Sequence, residues 1–293
     1  MTFPHPFRMP LSSDEGSGNS FPDPSTPPVG DMVAWYRAQE GITLTAGGIT
    51  QWNDISGNGH HLIQDGLASR RPTISTAFLN GEDVAAFDGQ TQFVYNASTP
   101  ALELPFTILA LYRSEYTFPS VYGATGRAVY DSNTVDSAML HQTRPASGSV
   151  FTRARSATNR DVYTNASNPE NSWEMVEVHF NGATSNAWHN GVQTLTNVDF
   201  GANGGLTGFR IGVNGGGTSG QSWLGKIAEV MIWQRALTTE ERNKYVAYVV
   251  HRYNPDLYDP PASPGGGAPP ECGPGLLLVR DKVYGAYCWN GIG

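Results

Sequence analysis

The clearest pattern of apolar positions is a buried strand followed at once by an amphipathic helix. Residues 227–233 (IAEVMIW) are dense in β-branched and aromatic side chains, which suit a packed sheet surface. Thr238 and Glu241 have the spacing of a capping box, which marks the start of a helix. Apolar residues then recur at helical spacing and form one stripe: Tyr245, Val246, Val249, Val250 and Tyr253. The pattern predicts one helix that ends near Tyr253.

Elsewhere the chain shows short apolar runs separated by turn residues. Such runs occur at 33–36 (VAWY), 84–89 (VAAFDG), 106–112 (FTILALY) and 172–180 (SWEMVEVHF). The 34 glycines and 20 prolines indicate many turns and few long helices. No run approaches the roughly 20 apolar residues of a membrane span. We therefore predict an all-β fold, a two-sheet antiparallel β-sandwich of jelly-roll type with one short C-terminal helix.

A turn-rich motif, W-N-D-I-S-G-N-G-H-H-L, occupies residues 52–62. An aspartate in a turn accepts backbone N–H bonds and holds the loop in shape, which is the role expected of Asp54. Gly57 and Gly59 supply positive φ angles. We interpret the motif residues Trp52, Asp54, Gly57, Asn58 and Gly59 as a structural turn rather than a binding site.

This motif is similar to the W-x-D-x-S-G-N-G-x-x-L signature of laminin-G-like domains, and the strand order around it agrees. The late hairpin at 186–191 (NAWHNG) and the strand–helix end also resemble that family. The resemblance covers about residues 31–253 and implies a concanavalin-A-like β-sandwich, of the kind found in phage structural proteins and bacterial surface proteins. Such sandwiches mostly bind ligands rather than transform them, and they host many different ligands.

Residues 1–30 form a proline-rich arm that cannot bury enough apolar surface to order itself. We expect Phe3, Phe7 and Met9 to anchor this arm on a neighbouring subunit. The start of the chain lacks the basic and apolar regions of a secretory signal. These features favour a virion location, with an extracellular location as the alternative.

The C-terminal part of the chain divides into a linker and a small module. Residues 254–271 are rich in proline and glycine, which is typical of a linker. Residues 272–293 contain two short strand patterns that predict a hairpin. Cys272 and Cys288 either form a disulfide that closes this module or remain free thiols. Because the module is too small to fold alone, it is expected either to dock on a partner or to remain a flexible tail.

The charge pattern excludes two classes of partner. The chain has a formal net charge of -8 and no cluster of lysine or arginine. Phosphate-rich surfaces are bound by basic faces, so neither a nucleic acid nor an anionic membrane is expected as a partner.

The acidic residues do not predict a hydrolytic site. A retaining glycosidase needs two carboxylates about 5–5.5 Å apart on one face. Glu174 and Glu177 are three residues apart, so on a strand they face opposite sides. Glu229 stands alone in an apolar strand, and the glycines at 215–217 are typical of a hairpin loop. We therefore expect no catalytic residues, and a glycan-active hydrolase or lyase remains a second alternative.

Candidate ligand-binding residues are the aromatic side chains near predicted loops. A sugar stacks its apolar face on an aromatic ring, while amide groups bind its hydroxyls. Trp223 beside Gln221, together with Tyr116 and Tyr122, fits this requirement. No cofactor is predicted, although Asp131 and Asp136 flank a polar loop that offers oxygen ligands for calcium.

Together these patterns predict a non-enzymatic structural or adhesive virion protein, such as a capsid decoration or tail-fibre component. We expect a homo-oligomer that attaches to other virion subunits through the arm or the C-terminal module, and that displays the sandwich to a cell-surface glycan. The first alternative is an extracellular bacterial carbohydrate-binding module.

Overall fold

The computed structural model describes residues 30–64, 66–115, 127–133, 138–143, 151–156, 162–165, 171–200, 205–215, 221–253, 277–281 and 285–289. The arm anchors Phe3, Phe7 and Met9 lie outside these residues, as does Cys272. The predicted disulfide and the predicted domain boundaries therefore stay predictions.

The strands are β1 (Met32–Arg37), β2 (Ile42–Thr45), β3 (Gly48–Trp52), β4 (Leu62–Ile63), β5 (Thr73–Leu79), β6 (Glu82–Asp88), β7 (Val94–Leu102), β8 (Phe106–Ser114), β9 (Arg127–Ser132), β10 (Ala138–Thr143), β11 (Phe151–Ser156), β12 (Val162–Asn165), β13 (Trp173–Phe180), β14 (Ser185–His189), β15 (Val192–Val198), β16 (Leu206–Ile211), β17 (Leu224–Trp233), β18 (Leu277–Asp281) and β19 (Gly285–Trp289). One α-helix, α1, spans Thr239–Tyr253. Within the described residues the chain is thus mostly β, as the sequence predicts.

The strands form two large antiparallel sheets. The first sheet has the order β15-β14-β13-β8-β17-β6-β5, and β1 also pairs with β17. The second sheet has the order β12-β11-β10-β9-β16-β7-β4-β3-β2. Strands β18 and β19 pair with each other as a separate two-stranded sheet. The predicted fold class, a two-sheet β-sandwich with one short helix, is confirmed.

The main core lies between the two sheets and is rich in aromatic rings. Tyr36 of the first sheet stacks on Phe209 of the second, with ring centroids 6.0 Å apart. Trp52 meets the edge of Tyr36, and both side chains are fully buried. Because each strand turns alternate side chains inward, the inner faces of the two sheets supply this core.

Strand β8 is buried on both of its faces. Ile108, Ala110 and Tyr112 belong to the core between the sheets. Leu109 and Leu111 belong to a second apolar cluster, on the side of the first sheet that α1 covers. Because both faces of the strand are covered, apolar residues occupy consecutive positions, which explains the FTILALY pattern of the sequence.

Helix α1 begins with the predicted capping box. The Glu241 amide donates to the Thr238 hydroxyl at 3.2 Å, and the Thr238 amide donates to the Glu241 carboxylate at 2.8 Å. Arg235 adds two hydrogen bonds to the same carboxylate, and these bonds lower the pKa of Glu241 to about 2. Apolar residues of α1 then pack on the first sheet. The described part of the chain contains no helix long and apolar enough to cross a membrane.

Asp54 organises the turn that the W-N-D-I-S-G-N-G motif encodes. Its carboxylate accepts backbone N–H bonds from Trp35 at 2.9 Å, from Ser56 at 2.9 Å and from His60 at 3.0 Å. The Asn58 amide donates to the Met32 carbonyl at 2.8 Å, which ties the turn to β1. Gly57 and Gly59 have φ angles of +95° and +78°, in the left-handed region that favours glycine. Trp52 is fully buried in the core beneath.

Glu229 is a fully buried carboxyl between the first sheet and α1. It accepts hydrogen bonds from the Trp35 indole and from the Tyr248 hydroxyl, the latter at 3.1 Å. Burial raises its pKa to about 7, although these hydrogen bonds and the nearby Arg37 oppose the shift. Because the folded protein prefers the neutral carboxyl, ionisation of Glu229 destabilises the folded state.

Replacing Glu229 with glutamine should flatten the pH dependence of stability. The folded pKa of Glu229 lies above its ordinary value of 4.5, so its stabilising contribution is complete below that pH and is lost as pH rises to about 7. The loss is on the order of 3 kcal/mol of unfolding free energy. Urea unfolding of both proteins between pH 4 and 8 measures it, and parallel curves would contradict the expectation.

Replacing Asp54 with alanine should destabilise the sandwich, because three backbone N–H groups lose their common acceptor. The expected cost is about 3 kcal/mol of unfolding free energy. Asp54→Asn keeps one acceptor oxygen and should cost clearly less. Chemical denaturation of the two variants measures the difference, and equal costs would show that the shared acceptor is not what stabilises the turn.

Candidate functional site

One row of cross-strand neighbours runs across the second sheet. The register pairs Gln51 with Ile63 and Ile63 with Tyr95. It then pairs Tyr95 with Arg210, and Arg210 with Asp131. Residues directly opposite each other in antiparallel strands project to the same face of the sheet. The five side chains therefore share one face across β3, β4, β7, β16 and β9.

This shared face is turned away from the core. The sequence neighbours Trp52, Leu62, Val94, Phe209 and Ile211 are buried in the core between the two sheets. Successive side chains of a strand point to opposite faces, so Gln51, Ile63, Tyr95 and Arg210 point outward. Asp131, at the end of the row, is fully buried. Tyr95 and Arg210 are partly exposed, as this orientation requires.

Arg210 is held in place between two aromatic rings and an amide. Its Nε and Nη2 atoms donate to the side-chain oxygen of Asn133 at 2.9 and 2.6 Å. Its Cζ atom lies 5.1 Å from the ring centroid of Tyr95 and 5.7 Å from that of Phe93. We call Phe93, Tyr95, Arg210 and Asn133 the arginine–aromatic surface. Because these contacts fix the guanidinium, it is preorganised for a ligand.

The arginine–aromatic surface carries a positive charge at its centre. Burial lowers the pKa of Arg210, while Tyr95 and Asp131 oppose the shift, and an arginine stays charged at any physiological pH. Asp131 is fully buried, and its two oxygens accept amide hydrogens from Ser132 at 2.8 Å and Gly215 at 2.7 Å. Of the two opposite charges, only that of Arg210 is partly exposed.

A concavity of about 470 Å³ lies elsewhere, between β2 and β5, which are edge strands of the two sheets. Its walls include Ile42, Leu44, Thr73 and Asp83, and none of the described residues that line it is aromatic. A sugar would find hydroxyl partners there but no ring on which to stack. The arginine–aromatic surface is therefore the better candidate site.

The structure corrects the sequence interpretation of Trp223 as an exposed platform. Its side chain is fully buried and meets the Tyr112 ring edge-to-face, with centroids 5.3 Å apart. A ring with no exposed face has no surface on which a sugar from solvent can stack. Gln221 is partly buried beside it, while Tyr116 and Tyr122 lie outside the described residues.

The acidic residues of β13 lie on opposite faces, as their spacing predicts. Glu174 pairs with His189, whereas Glu177 receives hydrogen bonds from Arg242 of α1 at 2.8 and 3.0 Å. Burial raises the pKa of both glutamates, and their hydrogen-bonding partners oppose that shift. Two carboxylates separated by a sheet cannot flank one glycosidic bond.

The predicted calcium pair is not brought together by any described contact. Asp136 lies outside the described residues, and Asp131 is engaged with backbone amides. In the described ranges, no three histidine, cysteine, aspartate or glutamate side chains are grouped so as to hold a metal ion. Calcium binding therefore stays a prediction.

Sequence reasoning missed the arginine–aromatic surface. The available signal was an arginine inside an apolar strand, in LTGFRI of β16, and a tyrosine among the polar residues of β7. Nothing in the sequence shows that these two strands are neighbours. Their pairing, Tyr95 with Arg210, emerges only from the sheet topology.

Comparisons with known proteins agree with this architecture. A model of the concanavalin A-like lectin/glucanases superfamily matches residues 116–241. Domain 4 of AbnA, a GH43 extracellular arabinanase from Geobacillus stearothermophilus solved with arabinotriose, has a TM-score of 0.51 and 14% identity, with 74% of this chain and 98% of that chain covered. A search of curated protein sequences found no match.

The binding domain of Paraclostridial Mosquitocidal Protein 1 is similar to the same degree. Its TM-score is 0.51 at 13% identity, and the similarity covers 75% of this chain and 52% of that chain. At such low identity, both structures demonstrate a shared fold and say nothing about a shared ligand. The resemblance found in the sequence is thereby confirmed: residues 116–241 are similar to the concanavalin A-like lectin/glucanases superfamily, and the described strands form a two-sheet β-sandwich.

Proposed function

We propose that this protein binds carbohydrate through the arginine–aromatic surface, without a catalytic step. The observation that carries the proposal is the pair of rings, Phe93 and Tyr95, beside a fixed and partly exposed guanidinium. Sugars combine an apolar face, which stacks on aromatic rings, with hydroxyls that accept hydrogen bonds from a guanidinium. The surface offers both kinds of contact on one sheet face.

The comparisons support a carbohydrate-related function in a general way. The superfamily whose model matches residues 116–241 is described as lectins and glucanases. A binding function also suits the acidic side chains of β13, because Glu174 and Glu177 are engaged on opposite faces of the sheet. The virion role, the attachment of the arm and the homo-oligomer stay predictions of the sequence.

Replacing Tyr95 with alanine should weaken binding to the glycan that the protein recognises. Burying an aromatic side chain against a ligand contributes about 1.5–3 kcal/mol, so affinity should fall about tenfold or more. The measurement is isothermal titration calorimetry against oligosaccharides that a glycan array first identifies with the wild-type protein. Phe93→Ala should have an effect in the same direction.

Phe78→Ala is the matched control for these variants. Phe78 is 39% exposed, lies on β5 of the first sheet, and also has a guanidinium near its ring, that of Arg113 at 5.2 Å. This variant should bind like the wild-type protein. Equal losses in Phe78→Ala and Tyr95→Ala would overturn the assignment of the site. A folded wild-type protein that binds no glycan would overturn the proposed function itself.

A further inference from the structure

We infer that the preferred ligand is an anionic glycan whose carboxylate or sulfate group is bound by Arg210. The inference rests on the proposed function and specifies the class of its ligand. It starts from one contrast: Arg210 is partly buried and fixed, yet its hydrogen-bonding partner is the neutral amide of Asn133.

Four other buried or partly buried arginines of the described chain are paired with glutamates, whereas Arg71 and Arg113, like Arg210, donate to neutral groups. These pairs are Arg37 with Glu40, Arg235 with Glu241, Arg242 with Glu177, and Arg252 with Glu82. Within the described residues, no ion pair includes Arg210. Two donors of Arg210 share one amide oxygen of Asn133, and that amide carries no charge. The site therefore holds a guanidinium in position with no ion pair among the described residues.

Asp131 does not supply the missing partner. It lies opposite Arg210 in the register, but its oxygens accept amide hydrogens from Ser132 and Gly215, and the side chain is fully buried. Its charge is thus already stabilised by hydrogen bonds within the sandwich. Arg210 keeps an exposed portion beyond these contacts, on the side where Phe93 and Tyr95 also reach solvent.

An anion gains more from this site than a neutral hydroxyl does. A guanidinium hydrogen bond to an anion adds the attraction between opposite charges, and the guanidinium fork fits the oxygens of carboxylates and sulfates. The aromatic rings beside Arg210 exclude part of the water that would screen this attraction. The net charge of -8 means that attraction of an anion comes from this local site and not from the protein as a whole.

The test compares three size-matched sets of oligosaccharides: neutral ones, ones that contain uronic acids, and ones that carry sulfate. The intact protein should bind at least one anionic set about tenfold more tightly than the neutral set at low salt, and the preference should shrink at high salt. Preference for the uronic acid set identifies the carboxylate as the recognised group, and preference for the sulfated set identifies the sulfate.

Asn133→Asp is the sharpest variant, because it places a carboxylate on Arg210 with almost no change of shape. The folded protein should be at least as stable as the wild type, while the anionic preference should be lost. Arg210→Gln should lose the preference as well but keep the residual binding that depends on Tyr95. Thermal unfolding of each variant shows that it is folded, and Asn133→Asp alone suffices if Arg210→Gln does not fold.

Arg113→Gln is the matched control. Arg113 also donates to an asparagine, Asn171 at 3.3 Å, and also lies over a ring, but Lys226 beside it is paired with Glu115. This variant should keep the anionic preference.

Equal binding of neutral and anionic glycans, with binding still dependent on Tyr95, would overturn the inference and leave the proposed function standing. A preference that survives in Asn133→Asp would also overturn it, whereas a wild-type protein without any glycan binding would remove both.

Discussion

The structure depends on the unequal burial of its two sheets. The first sheet has two apolar faces, and strand β8 is covered on both sides, by the second sheet and by α1. A sheet with two apolar faces requires two covers, since each uncovered face would expose a large apolar area to water. Helix α1 is therefore a structural necessity rather than an appendage.

The second sheet contributes only one apolar face to the core. Its other face carries Tyr95, Arg210 and the polar residues in register with them, and no described helix lies over it. Helix α1 is committed to the first sheet, so the second sheet is where the sandwich offers a broad surface for a ligand. The candidate site thus lies on the outer face of the second sheet, whereas α1 and the buried Glu229 lie on the outer side of the first sheet.

Arg210 differs from the buried charged groups of the first sheet in how its charge is stabilised. Buried charges are costly unless they are paired or hydrogen-bonded, and Glu177 with Arg242 meets that requirement between the first sheet and α1. Glu229 meets it differently, because its raised pKa keeps it largely neutral below about pH 7. Arg210 is held by an amide and two rings, which fixes its position and leaves its charge available to a ligand.

The sequence by itself determined the local structure. The capping box of Thr238 and Glu241, the Asp54 turn and the apolar run of β8 each depend on residues close together in the chain, and each folds as its pattern predicts. The opposite facing of Glu174 and Glu177 follows from strand periodicity alone. Only the tertiary structure decided that Trp223 is buried and that Tyr95 meets Arg210. Burial depends on what lies opposite a side chain, and sheet neighbours depend on the strand order, which hydrophobic patterning does not encode.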